Sequence, residues 1–297
     1  MTRAPIAATR EAFQLAEGPL WDAARGRLLW VDIEGGEVLE GALDGDRIEV
    51  TARHGFDGMV GAVAVASDGG LLVAAQEHLV LQRADGSRVD GPRIVPSGQR
   101  RRLNDGRTDP AGRYVVGTLP LEGESEAEEL VRLEADGALT RLDGDLKLSN
   151  GLAWTADGRR MYSVDTLRHT VFVRDYDPDT GDVGERAVHL LLDDELPDGI
   201  ALDADDHLWV AVFGAGQVRR FAPDGTLVDR LPVPAPHTTS VGFAGDDLRT
   251  MVITTGRGDD EPARVFPESG RLFTTRVDVP GRPATPWAGS AAFSGPR

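Results

Sequence analysis

The sequence has no cysteine among its 297 residues. Disulfides, thiolate nucleophiles and cysteine-type zinc sites are therefore excluded. The chain also lacks any apolar run near the roughly 20 residues that span a bilayer, and residues 1–13 contain no apolar stretch typical of a secretory signal. These absences predict a soluble, cytoplasmic protein that does not enter membranes.

Basic residues are scarce relative to acidic ones. The chain carries 32 Lys and Arg against 49 Asp and Glu, which gives a formal net charge of −17. A surface of this sign repels phosphate backbones and anionic lipids, so nucleic acids and membrane surfaces are not expected as partners. Neutral small molecules and cations are compatible with it, and nothing in the sequence indicates a protein partner.

Two common hydrolase motifs are missing as well. The sequence has neither the GxSxG motif of a serine nucleophile nor the HExxH motif of a zinc protease, and its six histidines are scattered. The sequence therefore indicates neither an α/β-type serine hydrolase nor a zinc protease of the HExxH class.

Glycine, in contrast, is abundant, at 36 residues, well above the roughly 7% of average proteins. Six segments align when each is anchored on one glycine, and each reads as two short apolar strands around a turn. Successive anchors lie 43 to 48 residues apart, at Gly18, Gly61, Gly106, Gly151, Gly199 and Gly242.

A period in the forties with short strands predicts propeller blades of four antiparallel strands. Six copies predict an all-β, six-bladed β-propeller that forms a single domain over residues 1–297. Propellers commonly close by pairing an N-terminal strand with the last blade, so we expect residues 9–14 to complete the sixth blade. We expect the C-terminal segment 271–289 to supply the outer hairpin of the same blade.

The residue before each anchor glycine opens the first aligned strand of its blade. If these positions face the propeller axis, they form a ring at one mouth of the central channel. Four of the six carry side-chain oxygens: the ring reads Glu17, Val60, Asp105, Asn150, Asp198 and Val241. Carboxylate and amide oxygens are ligands suited to Ca²⁺, Mg²⁺ or Mn²⁺. The alternative is that Asp and Asn precede glycine as turn formers, although Glu17 does not fit that explanation.

The longer phrases around these anchors resemble those of one family. EGPLWD begins at Glu17, RRLNDGRTDPAGRYVVGTL at Arg101, SNGLAWTADGRRMYSVDT at Ser149 and PDGIALDADDHLWVAVF at Pro197. In this order they are similar to the SMP-30/gluconolactonase/regucalcin family, over about residues 17–255. The resemblance implies a six-bladed propeller that binds one divalent metal ion and hydrolyses sugar lactones.

The resemblance also implies roles for particular residues. Glu17, Asn150 and Asp198 match the metal ligands of the family, and Asp198 is the candidate general base. The ion is expected to be Ca²⁺ first, with Mg²⁺, Mn²⁺ and Zn²⁺ as alternatives. The substrate-binding candidates are Arg102, Asn104 and Glu122, although the sequence around Glu122 departs from the family pattern.

Two other functions remain open from the sequence. One is a non-catalytic propeller that binds calcium or serves as a scaffold, since a fold does not determine a function. The other is a hydrolase of different esters, including organophosphates, at the same metal site.

Overall fold

A computed structural model of the protein describes residues 4–258 and 265–293. Its strands form six four-stranded antiparallel sheets, which are the six blades of a β-propeller. Within blades 1 to 5 the order of the strands in the sheet follows their order in the chain. The predicted fold class is therefore confirmed.

Strand β1 (Ile6–Ala7) belongs to the last blade, and the others follow in chain order. Blade 1 contains β2 (Ala16–Asp22), β3 (Arg27–Asp32), β4 (Glu37–Asp44) and β5 (Arg47–Gly55). Blade 2 contains β6 (Val60–Val65), β7 (Leu71–Ala75), β8 (His78–Gln82) and β9 (Arg88–Arg93). Blade 3 contains β10 (Arg101–Thr108), β11 (Tyr114–Pro120), β12 (Glu128–Leu133) and β13 (Leu139–Leu146).

Blade 4 contains β14 (Ser149–Trp154), β15 (Arg160–Asp165), β16 (Thr170–Asp175) and β17 (Ala187–Leu191). Blade 5 contains β18 (Leu196–Leu202), β19 (Leu208–Phe213), β20 (Gln217–Phe221) and β21 (Leu227–Pro232). Blade 6 contains β22 (Thr238–Ala244), β23 (Thr250–Thr255), β24 (Phe273–Arg276) and β1. Two short 3₁₀ turns span Thr166–Arg168 and Ala291–Phe293, and no helix in the described ranges is long and apolar enough to cross a bilayer.

The first strand of every blade lies nearest the axis, because these six strands contact one another in sequence around the ring. Their sequences suit that place: β6 and β14 are buried at every residue. The fourth strands form the outer edge, and β5 alternates between exposed and less exposed residues as a half-solvated strand does. Apolar clusters join neighbouring blades, such as the cluster that combines Val31 of β3 with Val73 of β7.

The ring closes through the N-terminus, as predicted, but at a slightly different place. Ile6 pairs with Thr274 and Ala7 with Phe273, so the closing strand precedes the expected residues 9–14. Those residues instead run beneath the blade, where the Phe13 amide donates to the Gly270 carbonyl at 2.8 Å. Phe13 itself packs edge-on against Trp30, with 5.6 Å between the ring centroids.

The expected outer hairpin over 271–289 is wrong, because only its first part is a strand. Since β1 occupies the outer edge of blade 6, the rest of the tail has no free edge to pair with. Its prolines also remove backbone donors that a sheet would need. The tail crosses to other blades instead: the Trp287 amide donates to Val65 at 2.8 Å and the Ala288 amide to Gly112 at 2.9 Å.

Each of the six innermost strands has a break in its pairing register at or just before the ring level. The breaks fall between Glu17 and Leu20, Val60 and Ala62, Leu103 and Gly106, Asn150 and Leu152, Pro197 and Ile200, and Thr238 and Ser240. A β-bulge of this kind redirects a side chain and is common beside active sites. The bulges therefore explain how residues on sheet strands turn towards the axis at a single level.

The anchor glycines permit the innermost strands to approach closely. A Cβ atom on Gly151 would lie 2.6 Å from the carbonyl oxygen of Asp198, and one on Gly242 would lie 2.5 Å from that of Pro19. Both contacts join one blade to the next, so a side chain at either position would force neighbouring blades apart. The glycine periodicity seen in the sequence is thus a consequence of packing around the axis.

Candidate metal centre and active site

The polar members of the ring lie together at the start of their strands. Glu17, Asn150 and Asp198 are each only 6% exposed, and the side chains of Glu17 and Asn150 lie within hydrogen-bonding reach of Asp198. Asp105, which is partly buried, holds a fourth ring position, and Val60 and Val241 fill the other two as buried apolar residues. Three side chains from blades 1, 4 and 5 thus converge on one point near the axis.

The electrostatics of this point favour a cation. Burial, and next the charges of Asp198 and Asp105, raise the pKa of Glu17 well above its usual value. Burial and the charge of Asp105 do the same to the pKa of Asp198. Burial also raises the pKa of Asp105 to about 6, against the opposing effect of Arg107. Burial and neighbouring negative charges make these carboxylates resist ionisation. They become favourable ligands once a positive charge lies between them.

The donors present fit a divalent metal ion. Asp198 Oδ1 is buried and has no hydrogen-bond partner among the described residues. A buried carboxylate oxygen without a partner is costly unless something else neutralises it. Within residues 4–258 and 265–293, no three histidine or carboxylate side chains are placed to hold one ion. A metal at this point therefore needs the Asn150 amide as its third protein ligand, and all the donors are oxygens of the kind that hard cations prefer.

Thr166 fixes the orientation of Asn150. The Asn150 Nδ2 amide donates to Thr166 Oγ1 at 3.2 Å, and Thr166 Oγ1 donates to the Pro197 carbonyl at 2.7 Å. Since Pro197 precedes Asp198 in the chain, this hydroxyl connects two of the candidate ligands. The amide oxygen of Asn150 accepts the Gly151 N–H at 3.3 Å.

Arg102 and Asn104 form a buried polar pair beside the cluster. Arg102 Nη1 donates to Asn104 Oδ1 at 2.7 Å and to the Leu103 carbonyl at 2.9 Å. Asn104 Nδ2 in turn donates to the Ser149 carbonyl at 2.8 Å, next to Asn150. Burial lowers the pKa of Arg102 to about 10 although Glu17 opposes this, so the guanidinium stays charged at neutral pH.

Comparison with known proteins identifies the family of this chain. The family profile described as "SMP-30/Gluconolactonase/LRE-like region" matches residues 15–257. The chain belongs to this family. The match begins two residues before Glu17 and includes every ring position.

Several relatives of this family member are similar over nearly their full length. A pentonolactonase of Haloferax volcanii is 36% identical over 290 residues, which cover 91% of this chain and 93% of the relative. A 6-deoxy-6-sulfogluconolactonase of Pseudomonas putida is 33% identical over 281 residues, covering 92% and 94%. The crystal structure of regucalcin from Agrobacterium tumefaciens, described as a calcium-binding protein, is 29% identical, covers 95% of this chain and 99% of its own, and has a TM-score of 0.87.

Glu122, the third substrate-binding candidate, lies outside the buried cluster. It follows strand β11 on an exposed loop, where its carboxylate accepts a hydrogen bond from Arg100 Nη2 at 2.5 Å. Both side chains are about two-thirds exposed. The contact of Glu122 with substrate stays a prediction.

Sequence reasoning assigned no role to two residues that the structure places near the cluster. Thr166 ends the phrase SNGLAWTADGRRMYSVDT, but its contact with the next blade is a tertiary feature. Arg107 follows Asp105 by two residues in the same strand, and its charge acts against the raised pKa of Asp105. Its positive charge, two residues after a ring carboxylate, was a signal that could have identified it, because a buried cation needs either a carboxylate partner or a ligand.

Proposed function

We propose that the protein hydrolyses sugar lactones to the corresponding acids with one divalent metal ion held by Glu17, Asn150 and Asp198. The observation that carries the proposal is the unpartnered Asp198 Oδ1 at the meeting point of two carboxylates and an amide. The names of the pentonolactonase and sulfogluconolactonase relatives support lactones as the substrate class.

The bound cation would act as a Lewis acid that polarises the lactone carbonyl and stabilises the negative charge that develops on its oxygen. Oxygen-only ligands favour Ca²⁺, in keeping with the calcium-binding regucalcin structure. Mg²⁺, Mn²⁺ and Zn²⁺ are alternatives that a metal titration would separate.

Asp198 is the proposed general base. Its carboxylate takes a proton from a water molecule while the water oxygen bonds to the lactone carbonyl carbon. The ring carbon–oxygen bond then breaks, and the ring oxygen receives the proton back from Asp198. One water is consumed, and the product is an open-chain hydroxy acid.

Arg102 and Asn104 are proposed to orient the substrate. One guanidinium nitrogen of Arg102 is occupied by Asn104 and the Leu103 carbonyl, which fixes the direction of the group. The remaining N–H groups of Arg102 are then free to donate to sugar hydroxyls or to the lactone oxygens. Because the pair is tied to Ser149 beside Asn150, substrate and metal ligands share one rigid frame.

The test is acid release from a panel of aldonolactones by the wild type and by Asp198→Asn, with and without a chelator. We expect the wild type to be active and to lose activity with chelator, and Asp198→Asn to lose at least about a hundredfold in kcat. Asp224→Asn is the matched control, because it makes the same chemical change at an exposed turn of the same blade, where Asp224 Oδ1 accepts the Thr226 amide. Full activity in folded Asp198→Asn would refute the role of this residue.

The non-catalytic calcium-binding propeller is the second candidate, favoured by the description of the regucalcin structure. It predicts calcium binding that depends on Glu17 and Asp198, without turnover of any lactone. Turnover of aryl esters or organophosphates in place of lactones would instead indicate a different ester substrate at the same site.

A further inference from the structure

The central channel has a second pocket at the mouth opposite the candidate metal centre. We call this cavity of about 480 Å³ the distal pocket; it is lined by residues that lie further along the innermost strands and by the C-terminal tail. Its walls include Trp21, Trp154, Leu202 and Phe243. Trp21, Trp154 and Leu202 each lie four residues past a ring residue, which at about 3.3 Å per residue along a strand is roughly 13 Å.

The charge of the distal pocket is opposite to that of the protein. Its only charged lining residues in the described ranges are Arg107 and Arg282, and no carboxylate lines it. The chain as a whole has a net charge of −17. A cavity lined by two arginines and by no carboxylate is therefore a place where an anion is attracted.

Arg107 is not neutralised by an ion pair in the described part of the chain. Its hydrogen bonds to described residues are long ones, from Nη1 to the carbonyls of Leu152, at 3.4 Å, and Ile200, at 3.3 Å. Burial lowers its pKa although Asp105 opposes the shift. Neither Nε nor Nη2 donates to another described residue, so the planar edge that best matches a carboxylate has no partner within the protein.

Arg282 holds the rim of the pocket. It pairs with Asp206 at 2.8 Å and donates to the Ala204 carbonyl at 3.3 Å. The tail that carries it is anchored further on by Trp287, whose amide donates to Val65 at 2.8 Å. The tail thus shapes one side of a preformed cavity, and its second cation lies at the entrance.

We propose that the distal pocket binds a small monocarboxylate with an apolar or aromatic body. The carboxylate would accept two parallel N–H bonds from Arg107, the arrangement that makes arginine a strong binder of this group. The body would lie against Trp21, Trp154 and Phe243. An inorganic phosphate has no apolar part that could pack against these aromatic side chains. Its second negative charge is also disfavoured by the acidic protein.

The probe is 4-fluorobenzoate, followed by fluorine NMR on the full chain in excess CaCl₂ at fixed ionic strength. We expect saturable one-to-one binding that is at least about tenfold tighter than that of the neutral 4-fluorobenzyl alcohol, because charge-assisted bonds to a carboxylate are being compared with a hydroxyl. Arg107→Gln should weaken binding by about tenfold or more. Arg102→Gln, at the opposite mouth, should leave the affinity unchanged.

A second variant tests the same pocket in case Arg107→Gln does not fold. Ala156 is exposed and lines the pocket entrance. Ala156→Trp should therefore block entry and abolish binding while the hydrophobic core stays folded. Absence of saturable binding to the wild type overturns the proposal, as does unchanged affinity in both variants. Loss of binding in Arg102→Gln would place the probe at the metal mouth, and tighter binding of inorganic phosphate would exclude a monocarboxylate ligand.

Discussion

Gly151→Ala tests whether the close approach of the innermost strands holds the candidate site together. The new Cβ atom would lie 2.6 Å from the Asp198 carbonyl oxygen and 2.9 Å from both the Ile200 nitrogen and its Cγ1 atom. The Asp198 oxygen and the Ile200 nitrogen cannot move freely, because they belong to the backbone of the next blade. Overpacking of this kind costs about 1–3 kcal/mol.

The matched control is Gly55→Ala. A Cβ atom there meets nothing within 4 Å, and Gly55, like Gly151, has no positive φ. The two substitutions reduce the entropy of the unfolded chain equally, so their difference isolates the clash. We expect Gly151→Ala to be less stable than Gly55→Ala by about 1–3 kcal/mol in urea unfolding, with similar m values.

Activity should respond more strongly than stability in Gly151→Ala. The clash moves Asn150 away from Asp198, and misplacement on the order of 1 Å can cost about a hundredfold in rate. The assay is kcat on an aldonolactone together with the concentration of metal needed for half-maximal activity. Equal stability and equal activity of the two alanine variants would refute the reasoning, and so would a comparable loss in Gly55→Ala.

Three further predictions follow from the site. Thr166→Val should weaken metal binding and reduce stability by about 1–3 kcal/mol, because it leaves Asn150 Nδ2 and the Pro197 carbonyl without their partner; metal titration and urea unfolding measure this, and an unchanged metal affinity would contradict it. The metal-free protein should lose stability as the pH rises from about 4 through 6, because the raised pKa values of Glu17, Asp105 and Asp198 mean that the folded state binds more protons than the unfolded state; excess metal should flatten this slope in thermal melts, and rising stability over that range in chelator would contradict it. Glu122→Gln should raise KM for lactones while Arg100→Gln does not; identical KM values in the two variants would exclude a substrate contact by Glu122.

The fold was predictable because its information is periodic. The six anchor glycines, from Gly18 to Gly242, recur at spacings of one blade, and the same alignment identified the residues that precede them. The ring level followed from this periodicity alone, since equivalent positions of a propeller lie at equivalent depths. The assignment of particular ring residues as metal ligands came from the family resemblance and stays a prediction.

Other features depend on contacts that have no period. The closing strand is Ile6–Ala7 and not residues 9–14, because the choice depends on which short segment fits the edge of β24. The C-terminal tail crosses to other blades because β1 already pairs with the edge of β24. The Trp287 amide then donates to the Val65 carbonyl. Thr166 gained its role from a hydrogen bond to the next blade, which no local pattern specifies.

The bulge in each innermost strand has a consequence for how such proteins diversify. Because the backbone deviates at or just before the ring level in all six blades, Val60 and Val241 lie at the same level of the ring as Glu17 and Asp198. A single codon change at either valine would introduce a fifth polar group at the axis without requiring a new backbone. Evolution can therefore vary the donor set around the channel one blade at a time, while the framework that supports it is inherited unchanged.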